Sequence, residues 1–167
     1  YSYKLDIRNY FNSIDIDILL PILKRLFSND IPLYEFLAHQ LSDLHVIDEG
    51  ELLEEQKGVM AGMPYAVFLA NVFLTPLDRI FEQISGVVYC RYSDDIILFS
   101  KAKDTLDQAK SILHNYLSDY NLKINTDKEI ETHPGEPWTF LGFECNGKSI
   151  DVSKVSVQKL KSKMKRK

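Results

Sequence analysis

The stretch Val87-Val88-Tyr89-Cys90-Arg91-Tyr92-Ser93-Asp94-Asp95-Ile96-Ile97-Leu98-Phe99 sets two adjacent carboxylates between two runs of β-branched, aromatic and aliphatic residues. Such runs form paired strands, so Ser93 to Asp95 is expected to be the turn of a hairpin with both acids at its tip. Asp is also an ordinary turn residue, because its side chain bonds nearby backbone, and an isolated Asp-Asp pair needs no further explanation. In a half-buried place, however, each carboxylate resists ionising beside the other. A divalent cation relieves that conflict by becoming the largest local charge.

Asp6 supplies a third carboxylate. Tyr1 to Ile7 has strand composition, and Asn9, Asn12 and Ser13 follow with the chemistry of turns and helix caps. Alone, Asp6 reads as a cap for the helix after it. With the hairpin acids, it completes a set that can converge on a pair of Mg²⁺ ions. That is the two-metal layout for in-line phosphoryl transfer, with ions about 3.5–4 Å apart. Oxygen-only ligands suit Mg²⁺, with Mn²⁺ as the substitute ion.

Periodicity predicts an amphipathic helix near 15–27, with Ile14, Ile18, Leu19, Ile22, Leu23, Leu26 and Phe27 at helical spacing. A second helix near 32–44 follows Pro32, which suits a first turn. The acidic stretch Asp48 to Glu55 reads as a loop or short hairpin. An apolar helix near 64–84 holds Pro76, which should kink or divide it. Beyond the hairpin at 87–100 come a helix near 103–119, with Leu106, Ala109, Ile112, Leu113 and Tyr116 on one face, and strands near 122–131, 138–145 and 149–152. Trp138 and Phe140 read as core. The expected class is α+β, an antiparallel sheet with a split β-α-β core packed on helices.

At this point the chain resembles reverse transcriptases of the bacterial kind, those of group II introns, retrons and related retroelements. Asp6-Ile7-Arg8-Asn9-Tyr10-Phe11-Asn12-Ser13-Ile14 is similar to their first palm motif. Gly58-Val59-Met60-Ala61-Gly62, with Phe68-Leu69-Ala70-Asn71 and Leu77-Asp78, is similar to the second. Tyr92-Ser93-Asp94-Asp95 matches the third, Leu122-Lys123-Ile124-Asn125 with Lys128 resembles the fourth, and Phe140-Leu141-Gly142-Phe143 resembles the primer grip. Five motifs stand in family order over nearly the whole chain. Two departures stand out: Ala61 lies where most of the family has Gln, and Ala66-Val67 where it has Ser-Pro. The family's Gln approaches the templating base pair, so fidelity and processivity are put in question.

The resemblance implies a polymerase palm over 1–152 and the start of a basic, thumb-like helix at 153–167, with the fingers and most of the thumb absent. It implies RNA-directed DNA synthesis from an RNA template, a DNA or RNA primer and deoxynucleoside triphosphates. Asp6, Asp94 and Asp95, with the Ile7 carbonyl, would hold two metal ions, and Lys128 would give a proton to pyrophosphate. Arg8, Asn9, Tyr10, Phe11, Ala61 and Gly62 would bind the nucleotide, with Phe11 as the sugar gate that excludes a 2′-hydroxyl. Leu141-Gly142 would hold the primer, since glycine lets a backbone approach closely. Each has a plainer alternative: a core aromatic for Phe11, a surface lysine for Lys128. Two other readings remain, an RNA-templated RNA polymerase, against which Phe11 argues, and a catalytically silent palm that binds nucleic acid or protein.

Charge first argues against nucleic acid, because the formal net value is −4. Its distribution says more. Ser153 to Lys167 holds seven of the 20 basic residues and no acid, which leaves thirteen basic against 24 acidic residues, a formal −11, over residues 1–152. The basic end reads as a helix that follows a duplex backbone or as a solvated terminus. No apolar run reaches 18 residues, so no membrane span is expected, and no secretory leader pattern opens the sequence. Cys90 and Cys145 have no partner at metal-ligand spacing and read as buried thiols of a cytoplasmic protein.

Overall fold

Tyr3 and Leu5 of the first strand are fully buried, and so are Ile96, Ile97 and Leu98 of the strand paired with it. A computed structural model describes residues 1–43, 45–48, 51–54, 58–59 and 64–165. In chain order its elements are β1 (Ser2–Asp6), α1 (Tyr10–Ser13), α2 (Ile16–Leu26), α3 (Ile31–Ser42), β2 (His45–Asp48), β3 (Glu51–Glu54), α4 (Ala66–Phe73) and α5 (Thr75–Glu82). Then follow β4 (Val87–Tyr92), β5 (Asp95–Ser100), α6 (Lys103–Asp119), a 3-10 turn (Thr126–Lys128), β6 (Ile130–Thr132), β7 (Trp138–Phe140), β8 (Phe143–Cys145), β9 (Ile150–Val152) and α7 (Lys154–Lys165). Described strand pairs are all antiparallel, so the α+β expectation holds.

The chain divides into two compact units, one of Tyr1–Asp6, Ile84–Ser111 and Asn125–Lys167, the other of Ile7–Gln83 and Ile112–Ile124. The first is built on a sheet in the order β4-β5-β1-β6. Its inner strands β1 and β5 are buried or part-buried on both faces, with Tyr3 and Leu5 of β1 on one face and Ser2, Lys4 and Asp6 on the other, whereas edge strand β4 alternates, leaving Val88, Cys90 and Tyr92 exposed. Leu106 and Ala109 of α6 are buried. Glu131 of β6 binds Lys103 and Lys110 of that helix, the latter at 2.6 Å. Lys110 also lies 4.5 Å above the Tyr3 ring, and the Tyr3 hydroxyl donates to Glu129 at 2.6 Å. A smaller sheet, β7-β8-β9, meets the main one where the Phe99 and Trp138 rings pack edge to face, centroids 4.9 Å apart.

The second unit packs helices around Leu19, Leu23, Leu69, Phe73 and Leu77, all fully buried and each worth roughly 1.5–3 kcal/mol of burial. Asp15 caps α2 by accepting from the Asp17 amide, and Asp30 caps α3 from the Leu33 amide. Pro21 sits inside α2 on its exposed side. The apolar stretch near 64–84 divides at Leu74 into α4 and α5, because Pro76 falls in a first turn where no amide is needed. The acidic stretch forms the hairpin β2-β3; Glu49, Gly50 and Glu55 lie outside the described residues.

Several expectations need correction. The segment 122–131 is not one strand: Ile124 makes a single bridge to Ile7, then comes the 3-10 turn, then β6. The segment 138–145 is two three-residue strands around Leu141 and Gly142, both left-handed at φ 49° and 82°. Cys90 is exposed, because it points outward from an edge strand, and Cys145 and the Trp138 and Phe140 side chains are only part-buried. Leu26 and Ile112 face solvent, and Leu117 takes the buried place. No described helix is long and apolar enough to cross a membrane.

Candidate active site

The β1–β5 register sets Asp6 directly opposite Asp95. Ladder pairing runs to Tyr92 and Asp95, so the turn is Ser93-Asp94 alone and Asp95 is the first residue of β5 rather than part of the turn. Closure at two residues demands an unusual backbone, and Ser93 takes φ 56° without being glycine, a conformation that costs on the order of 1–2 kcal/mol. Arg91 braces it by donating from Nη1 to the Ser93 carbonyl at 3.2 Å. The result is two carboxylates abreast on neighbouring strands and a third, Asp94, in the adjoining turn.

Asp6 is 8% exposed, and a carboxylate so buried needs donors. It has them. Lys128 Nζ lies 2.9 Å from Oδ2, Asn125 Nδ2 lies 3.1 Å from Oδ1, and the Asn125 amide donates to the Asp6 carbonyl at 2.9 Å. Both side chains come from the 3-10 turn and the residue before it, closed by the Lys128 amide on the Asn125 carbonyl. The hydrogen bond to Asp6 raises the Lys128 pKa above its ordinary value, burial opposes it, and the Asp6, Asp95 and Asp94 charges add to the rise. Asp95 is pushed above the ordinary carboxylate value by burial, then by Asp6 and Asp94, with Lys4 and Lys128 opposing. The three acids therefore feel one another.

Among the described residues, no three His, Cys, Asp or Glu side chains stand together as a ready metal site; the Asp6 carboxylate faces Lys128 and Asn125 instead. The donor set still fits a divalent cation by its chemistry: oxygen ligands only, and mutual repulsion that such a charge would relieve.

The remaining predicted residues have surroundings of their own. Ile7 is buried and bridges to Ile124. Arg8, Asn9, Tyr10 and Phe11 belong to the second unit. Arg8 and Asn9 are exposed, with Asn9 at φ 50°. Tyr10 is buried and its hydroxyl donates to the Ala70 carbonyl at 2.5 Å. Phe11 is part-buried, its ring 5.8 Å from that of Tyr10 and its carbonyl taken by the Val59 amide at 2.9 Å. Ala61 and Gly62 lie outside the described residues. Leu141 and Gly142 form the β7–β8 turn, with the Gly142 carbonyl accepting from the Ser153 amide at 2.8 Å and the Ser156 hydroxyl at 3.1 Å.

Sequence reasoning assigned no role to Asn125 or Arg91, although Asn125 closes the core of the fourth motif three residues before Lys128 and Arg91 stands in the hairpin two residues before Ser93.

Residues 1–145 match the family model described as reverse transcriptase (RNA-dependent DNA polymerase). Among solved structures, the chain is similar to apo telomerase from Candida tropicalis truncated from its C-terminal domain, with a TM-score of 0.74 and 19% identity over 91% of this chain and 35% of that one. It is also similar to telomerase from Candida albicans in complex with a fragment of telomeric RNA, with a TM-score of 0.71 and 16% identity over 92% and 30% of the two chains. The chain spans about a third of the length of these structures, and at such identities the likeness is one of fold, a polymerase palm. No curated protein sequence matches it.

Proposed function

The chain belongs to the reverse transcriptase (RNA-dependent DNA polymerase) family, and on that premise we propose that it is the catalytic palm of an RNA-templated DNA polymerase. The observation that carries the reading is the register that sets Asp6 opposite Asp95 with Asp94 in the adjoining turn. Residues 1–152 make the palm and 153–167 begin the basic thumb helix. The wording of the five motifs supports a reverse transcriptase of the bacterial group II intron and retron kind, and the proposal is completed by a cytoplasmic setting, an RNA template, a DNA or RNA primer and deoxynucleoside triphosphates. The RNA fragment bound by the Candida albicans telomerase agrees with an RNA template.

Reverse transcriptases use divalent cations, and two Mg²⁺ or Mn²⁺ ions held by Asp6, Asp94, Asp95 and the Ile7 carbonyl would activate the primer 3′-hydroxyl and neutralise charge on pyrophosphate. The chain's own groups do the rest. Lys128, protonated at neutral pH and 58% exposed along its side chain, reaches the reacting phosphates on a flexible stem and donates a proton to the leaving group. Phe11 closes the space beside the sugar 2′-position and so selects deoxynucleotides. Arg8, Asn9, Tyr10, Ala61 and Gly62 complete the nucleotide site, and the Leu141-Gly142 turn holds the primer strand.

Primer extension by the full-length protein on an RNA template, with deoxynucleotides and Mg²⁺ or Mn²⁺, tests the proposal beside Asp94→Asn. Loss of one charge-holding group is expected to lower nucleotide addition by about 10²–10³-fold. Equal extension by both proteins would sink it. A catalytically silent palm that binds nucleic acid is the second reading, favoured by Lys128 resting on Asp6 at 2.9 Å. Duplex binding without extension, unchanged by Asp94→Asn, is its signature.

A further inference from the structure

Among the described residues, Asp6 has two side-chain partners of different character. The Lys128 ammonium is a point charge on a four-carbon stem, more than half exposed; it can neutralise Oδ2 but cannot fix the plane of the carboxylate. Asn125 differs in three respects. Its side chain is short, its amide is planar and uncharged, and its own backbone is tied to the same residue, the amide nitrogen donating to the Asp6 carbonyl at 2.9 Å. The side-chain donor therefore arrives at Oδ1 from a fixed place, 3.1 Å away. A carboxylate has about four lone-pair sites, so one neutral donor on Oδ1 holds the group still and leaves room for a cation. Being uncharged, the amide does not compete with that cation as Lys128 does.

We propose that Asn125 is the positioning residue that sets the orientation of the Asp6 carboxylate for cation binding. The inference rests on the polymerase reading of the site but concerns a residue that reading does not use. Asn125 acts through Asp6 alone, so its effect must disappear when the Asp6 carboxylate is gone.

The test is Mn²⁺ binding to the full-length protein without nucleic acid, followed by paramagnetic resonance, for wild type, Asn125→Ala, Asp6→Asn and the double variant. Loss of a hydrogen bond to a charged group is expected to weaken Mn²⁺ about tenfold in Asn125→Ala. No further weakening is expected when Asp6→Asn is already present. Unchanged affinity in Asn125→Ala, or an equal loss with and without Asp6, would overturn the proposal. Asn125→Leu, closer in size, guards against a packing defect. If both Asn125 variants lose cooperative unfolding, Asn125 serves the fold and the proposal is likewise overturned. Wild-type protein that binds Mn²⁺ through Asp6 yet extends no primer fails the polymerase reading alone. Primer extension by wild type with unchanged Mn²⁺ affinity in Asn125→Ala fails this inference alone.

Discussion

Burial and the neighbouring Asp6 and Asp94 charges hold Asp95 above the ordinary carboxylate pKa, so the metal-free fold carries a repulsion that a neutral side chain removes. Asp95→Asn is expected to raise the melting temperature in the presence of a chelator by about 1–4 °C, on the order of 0.5–1 kcal/mol after solvent screening. The folded pKa is raised, so the penalty sets in as pH climbs from the ordinary value of 3.8 through the raised one, and the gain should vanish below it. Glu131 runs the other way. Lys103 first, then Lys110, pull it down to about 2 from 4.5; its stabilisation is complete above the ordinary value and is lost as pH falls toward about 2. Glu131→Gln should cost about 1 kcal/mol at pH 7, shrinking by about half at pH 3, which urea midpoints at the two pH values will read. Such residues also mark what the sequence could reveal. Asp94 and Asp95 were legible because like charges set together demand a reason, and Asp6 because it ends a strand-like run in the first motif. The part played by Asn125 was not, although the residue lies in the fourth motif, because a polar residue gives no local sign that it meets a carboxylate 119 positions away.

Gly58 belongs to a contact between two segments of the second unit. A Cβ there would lie 2.3 Å from the Phe11 carbonyl oxygen and 2.5 Å from the Asn12 Cα, and the backbone is already at φ 73°. Because backbone atoms cannot swing aside, Gly58→Ala should destabilise by about 2–4 kcal/mol, measured by chemical denaturation, and should displace Phe11. Gly142 plays a comparable part between the β7–β8 turn and α7: an added Cβ would meet the Ser156 hydroxyl at 2.8 Å, a group already donating to the Gly142 carbonyl. Elements with local signals were read well. The bounds 103–119 for α6 and the division at Pro76 follow from period and punctuation that lie within the element itself. The failures share a different cause. At 138–145 most residue types suit a strand, and Leu141 and Gly142, both turning left-handed at φ 49° and 82°, break it in two; composition does not report a dihedral angle. Cys90 was misjudged because the outer position of β4 in the sheet is decided by pairing with distant segments.

Over the whole molecule, charge is divided by position in the chain. The five lysines of α7 are all exposed, beyond a body with a formal −11 over residues 1–152. If α7 tracks a duplex, replacing its lysines by Gln should flatten the dependence of log K on log salt by up to about 4, roughly one counterion for each phosphate no longer neutralised. Binding titrations across a salt series will show it, and an unchanged slope would assign α7 to solvent. A last consequence concerns the pairing of Asp6 with Asp95. Hydrogen-bond register fixes it, and the length of chain between them does not enter. Longer loops in the excursion from Ile7 to Gln83 leave both acids in place, whereas one residue inserted within β1 or β5 turns an acid to the opposite side of the sheet. The loops between the acids can therefore grow without cost to their pairing, while two short strands tolerate neither insertion nor deletion.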